Sequence, residues 1–287
     1  MPARTHPAPR RRPAATGRTS AMLIGKRGTA TTAISSASAD RITVRGRDLA
    51  GDLMGRIGFT EYFFLLAVGR MPTPDQRDFL DMCLVALAEH GLTPSVQAAR
   101  MTLAADPAAL QGAVAAGILG CGTVILGAAN ECRRLLTDIL ARTDTGGELA
   151  AMAQLVASGY RSRKVPIPGY GHPLHKPVDP RAERMLALAK ARGVAARGVA
   201  AARALQVAIE AVYGKPLPMN ISMAIAAVML DLDVPAIVIR GIPILARTAG
   251  LIAHLGEEAE TPIGFYLASV GEEAIQHTHG RREETAP

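Results

Sequence analysis

Between residues 164 and 181 the sequence KVPIPGYGHPLHKPVDPR gathers two histidines, two glycines, five prolines and three basic side chains. Prolines fix the path of such a segment, and glycines let a ligand approach the backbone. His172 can polarise a carbonyl or move a proton near neutral pH, and Arg181 can bind a carboxylate through its planar fork. Arg181 follows Asp179-Pro180, a helix-opening pair, so its guanidinium adds to the positive end of a helix and suits an anion. An ordinary proline-rich turn with surface histidines is the competing reading of this segment taken alone. His172-Pro-Leu-His175 resembles half a zinc site, but no second ligand pair is evident, so no metal is expected. His277-Thr-His279 reads as a solvated pair in a polar tail.

The segment interrupts an otherwise helical rhythm. Thr73-Pro74-Asp75-Gln76 is an N-cap, a proline at the first helical position and a Gln at N3; Phe79, Leu80, Cys83, Leu84 and Leu87 follow at helical spacing, and Gly91 ends the helix. Thr93-Pro94, Asp106-Pro107 and Asp179-Pro180 repeat the start signal, the last predicting a helix to about Arg192. Further helices are expected over 129–142, 147–159, 196–213, 221–231, 236–255 and 263–274. Asp231 and Asp233 read as a helix end facing solvent. Only Arg41 to Arg45 alternates like a strand. With no βαβ rhythm and no phosphate-binding glycine motif, the fold class is all-α.

Composition narrows the partners. The net charge is +7, yet seven of the 32 basic side chains lie in residues 1–27, which hold no acid, so the remainder carries 25 of each sign. The folded part is therefore not a basic surface for nucleic acid, and residues 1–27 read as a disordered basic tail without the apolar core of a secretion signal. Aromatic residues make up 3% and Trp is absent, which disfavours base-stacking platforms and β-sandwiches. Cys83, Cys121 and Cys132 lie in apolar stretches without CxxC spacing, as buried thiols of a cytoplasmic protein do. Residues 112–129 run uncharged for 18 positions, but five glycines make a closely packed buried helix and turn the better reading, so no membrane partner is expected.

Pro168-Gly-Tyr-Gly-His172, Lys176 and Asp179-Pro-Arg181 together resemble the signature of the citrate synthase superfamily, which includes citryl-CoA lyases and the citryl-CoA-cleaving module of ATP citrate lyase. Leu84 to Arg100 resembles the family helix whose His binds the keto-acid carboxylate, which implies that role for His90. Ala246-Arg247-Thr-Ala-Gly250-Leu-Ile-Ala-His254 resembles the family's ARxxGxxAH helix, whose Arg binds a substrate carboxylate. Gly127-Ala-Ala-Asn-Glu131 resembles the segment after the enolate-stabilising His, and Pro218-Met-Asn220-Ile-Ser222 the segment carrying the catalytic Asp. The chain departs at both catalytic positions, where Leu126 and Ser222 stand, and Glu260 to Gly264 offers no counterpart of the partner-subunit Arg.

The resemblance implies a large helical domain (28–128 and 235–275) and a smaller one (129–234), with the active site in the cleft between them and a second polar tail at 276–287. It implies a citryl-CoA lyase-like reaction: cleavage of a CoA thioester of citrate or a related 3-hydroxy acid into acetyl-CoA and a 2-oxo acid such as oxaloacetate. His172 would take the hydroxyl proton; His90, His172, Arg181 and Arg247 would hold carboxylates; Ser222 stands at the carboxylate's catalytic position. Pro168, Gly169, Tyr170, Gly171, Lys176 and Asn220 would line the pocket for coenzyme A, bound as a thioester substrate with no tightly held cofactor. The family's dimers imply a homodimer. A synthase-like acyltransferase with altered substrate, or a silent CoA- and carboxylate-binding homologue, is the alternative.

Overall fold

The computed structural model describes residues 30–122, 126–172 and 175–276, so the basic stretch 1–27 and the His277-Thr-His279 pair lie outside the described residues. Helices dominate: α1 Phe59–Val68, α2 Pro74–Ala88, α3 Pro94–Ala105, α4 Leu110–Leu119, α5 Ala128–Asp144, α6 Leu149–Ser162, α7 Pro180–Ala191, α8 Arg197–Tyr213, α9 Ile221–Asp231, α10 Ala236–Glu260 and α11 Gly264–Ala274. The all-α expectation holds. Where the sequence predicts one strand, a small antiparallel meander forms, with Ile42–Val44 (β2) between Ser35–Ala37 (β1) and Arg47–Asp48 (β3). Its outer strands are short and polar and owe their extended form to pairing rather than to pattern.

The start signals act as their chemistry dictates. Thr73 and Gln76 cap one another reciprocally at α2, and the Gln76 amide also donates to the Leu232 carbonyl at 2.8 Å, tying α2 to the end of α9. Asp106-Pro107 is a correction: Asp106 ends α3, its carboxylate accepts from the Ala108 amide, and α4 begins only at Leu110. Asp231 is another: instead of simply meeting solvent, it accepts from the amides of Ala196, Gly198 and Val199 and caps α8.

One core joins α1, α2 and α5 to α9 with the first turns of α10, built on Phe64, Phe79, Leu136, Ile209, Ile225 and Ile239. A second packs Val96, Ala99 and Leu103 of α3 and Ala113 of α4 against Leu251 and Leu255. Helix α10 is long and apolar enough to cross a membrane by length and composition alone; here it serves both cores. Arg100 fixes α3 to the end of α10 through a buried bond to Glu258 at 2.6 Å, and Glu258 in turn accepts from the amides of Ile263 and Gly264 at the start of α11.

Candidate active site

Three helix termini, the interior of α10 and one loop deliver the polar side chains. Glu89, just beyond α2, accepts from the backbone amides of His90 and Gly91, which fixes the turn bearing His90. His254 of α10 lies with Nε2 2.8 Å from the same carboxylate. Burial works against the Glu89 charge, but His254 and the two amides outweigh it and hold the carboxyl below its ordinary value. Helix α10 reaches this turn because residue 250 is glycine: a Cβ there would strike the Ala88 carbonyl oxygen. The same helix carries Arg247 three residues earlier. Its side chain is nearly buried, and Nε and Nη1 have no hydrogen-bond partner. A buried guanidinium with open donors is costly unless something arrives to accept from it.

The loop is pinned from beneath. Asn220 donates its backbone amide to the Gly169 carbonyl at 2.9 Å and its side-chain amide to the Gly171 carbonyl at 3.1 Å, while Gly171 donates to Pro218 at 2.8 Å. The Asn220 side-chain oxygen caps α9. Gly169, at φ +82°, sits where a Cβ would come within 2.7 Å of Cys132 Sγ and Met223, so only glycine fits. The Tyr170 ring is buried, with its hydroxyl donating to the Ala202 carbonyl at 2.6 Å. Of the residues expected around coenzyme A, Gly169 and Tyr170 are thus packed inward, Pro168, Gly171 and Asn220 are half-buried, and Lys176 is exposed.

Asp179 closes the loop. Fully buried, it accepts from the amide, Nε and Nη2 of Arg181 and from the amide of Ile221 at the head of α9. Burial pushes its carboxyl up, but the Arg181 guanidinium and these amides bring it below the usual carboxylate range. The charge then sets the direction of the Arg181 fork.

These supports bring His90, His172 and His175 together. The His172 and His175 rings stack at 4.3 Å between centroids, and His90 lies 5.7 Å from each. His175 is what sequence reasoning missed. Its spacing from His172 was visible, but its nearness to His90, 85 positions away, was not. One potential ligand nitrogen from each ring lies within 4.8 Å of the others. Burial lowers the pKa of His90, and Arg181, His175 and Arg247 lower it further; burial and His175 also lower His172. Neutral imidazoles edged by guanidinium groups favour an anion over a cation. His172 Nδ1 accepts from the His175 backbone amide at 3.0 Å, so a neutral ring carries its proton on Nε2.

Arg247 also faces a cavity of about 40 Å³ lined by Leu87, Leu126, Ala129, Ser222 and Pro243. The two departures noted in the sequence, Leu126 and Ser222, therefore share one chamber with a carboxylate-binding candidate. None of its other lining side chains titrates near neutral pH. Room for a water molecule or two remains.

A family model described as "Citrate synthase, C-terminal domain" matches residues 7–263. "Putative citrate synthase 2" of Mycobacterium tuberculosis is 30% identical over 193 residues, which are 65% of this chain and 49% of that protein; the chain spans about half the length of the curated relatives it matches. Among solved structures, citryl-CoA lyase from Hydrogenobacter thermophilus superposes with a TM-score of 0.77 at 27% identity, over 90% of this chain and 98% of the other. ATP citrate lyase from Methanothrix soehngenii, solved with citrate and coenzyme A, matches with a TM-score of 0.72 at 20% identity, over 92% of this chain and 44% of that one, a likeness of fold.

Proposed function

The chain belongs to the citrate synthase family, and we propose that its reaction there is carbon–carbon cleavage of a CoA thioester of citrate, or of a related 3-hydroxy acid, to acetyl-CoA and a 2-oxo acid such as oxaloacetate. The observation that carries this reading is the buried Arg247 guanidinium, open at Nε and Nη1, beside neutral His90 and His172 and the oriented fork of Arg181. His90, Arg181 and Arg247 bind the substrate carboxylates. His172 donates Nε2–H to the oxygen on the carbon that becomes the ketone, stabilising negative charge there as the bond breaks. The 27% identity and TM-score of 0.77 with a citryl-CoA lyase support cleavage over synthesis.

Coenzyme A is read as substrate, with its thioester over the 168–171 backbone and Asn220 and its phosphates within reach of Lys176. A homodimer accounts for the apolar side chains left exposed on α10 and α11, among them Ile237, Ile244, Ile252, Phe265 and Tyr266. The buried, unpaired thiols suit a cytoplasmic protein. Incubation with citryl-CoA, following oxaloacetate by coupled NADH oxidation, tests the proposal. Release above the buffer rate is expected; retention of the thioester without cleavage would sink the lyase reading.

A further inference from the structure

We infer that His175 is a further catalytic residue, the base that takes the tertiary hydroxyl proton as the carbon–carbon bond breaks. The inference rests on the lyase reading above and moves this step from His172 to its neighbour.

The geometry restricts the choice of base. His172 Nδ1 is occupied by the His175 amide, so in the neutral ring Nε2 is the protonated atom and acts as a donor. For His172 to accept a proton at Nδ1, that backbone bond must break. The two nearby carboxylates are already committed, Asp179 to Arg181 and the Ile221 amide, Glu89 to two amides and His254. Ser222 has no activating partner among the described residues and stands in the chamber with Leu126. His175 Nε2, by contrast, is buried without a hydrogen-bond partner, on a ring stacked against His172. The rings it meets are His90 and His172, which in turn feel Asp179 and Arg181 and, for His90, Arg247. One nitrogen from each of His90, His172 and His175 lies within 4.8 Å of the others, close enough for a single substrate hydroxyl to meet two of the rings.

In the step, the O–H bond breaks and its proton passes to His175 Nε2. The oxygen electrons form the new carbonyl, the neighbouring C–C bond breaks, and its electron pair becomes the enolate of the acetyl thioester. Water then protonates the enolate carbon, and the imidazolium returns its proton to the hydroxide so formed. No net proton is consumed, and no enzyme carboxylate is required at position 222.

The test uses the full chain with citryl-CoA. His175→Gln keeps the backbone amide that serves His172 and removes the base, so kcat is expected to fall about 100-fold or more with KM nearly unchanged. In His175→Ala, added imidazole is expected to restore at least tenfold, which a folding defect would not allow. Wild-type turnover with His175→Gln kcat within threefold of it, or a loss of kcat in His175→Ala that imidazole does not restore, would overturn the assignment and leave the lyase reading standing. A wild-type chain with no turnover would overturn both.

Discussion

The two sides of the candidate site are built by different means. On the carboxylate side, His90, His172, His175, Arg181 and Arg247 converge, and each support has a named anchor: Glu89 for His90, Asp179 for Arg181, Gly250 for the helix carrying Arg247. On the side where the family keeps its enolate-handling groups, Leu126, Ala129 and Ser222 leave a small, mostly apolar chamber. Under the proposed reading, the difference teaches that recognition of the acid and chemistry at the thioester are separable in this fold. One half is retained with its full set of anchors, while the other half has exchanged both of its ionisable groups.

The contrast can be broken in three further ways. Arg247→Met should weaken oxaloacetate binding about 100-fold, from the roughly 1.5–3 kcal/mol that a charge-assisted hydrogen bond contributes; calorimetric titration reading a change under threefold would remove Arg247 from the carboxylate side. Ser222→Asp should weaken the same binding about tenfold, because an added carboxylate in the shared chamber pairs with Arg247. A rise in turnover instead would mean that the chamber lacks only its carboxylate.

The smallest effect concerns protons. The pKa values of His90 and His172 lie below the ordinary 6.5 in the free protein, and a bound carboxylate favours their charged forms. Binding should therefore take up protons and tighten several-fold from about pH 8 to about pH 6, within the range where histidines titrate. Calorimetry in buffers of different ionisation heat reads this directly, and proton release would contradict it. Without ligand the same shifts oppose the fold in acid: the unfolded chain protonates these rings first, so their contribution to stability is lost as pH falls through 6.5.

Local chemistry made much of this legible. Proline after a capping residue marked α2, α3 and α7, and the 164–181 loop stood out because prolines and glycines broke the helical period. The same signal misled at Asp106-Pro107, where the carboxylate caps a turn before α4. Helix α1 is not legible because its Phe- and Leu-rich run lacks a clear polar face, and its start depends on the Glu61 carboxylate reaching back to accept from the Gly58 amide. The roles of His175, Glu89 and Asp231 depend on contacts across 32 to 165 positions, where no local pattern reaches.

The glycine crossing of α10 over the end of α2 has a consequence for which acids fit. Because the Ala88 carbonyl already fills the space a side chain would need at residue 250, the two helices cannot draw closer there. If His90 and Arg247 bind carboxylates as proposed, this crossing fixes the helix carrying one against the turn carrying the other, and the span between them acts as a ruler for the acid. On the same reading, adjustment to the length of the ligand would fall to the opposite edge, where His172 and His175 belong to a loop rather than a helix.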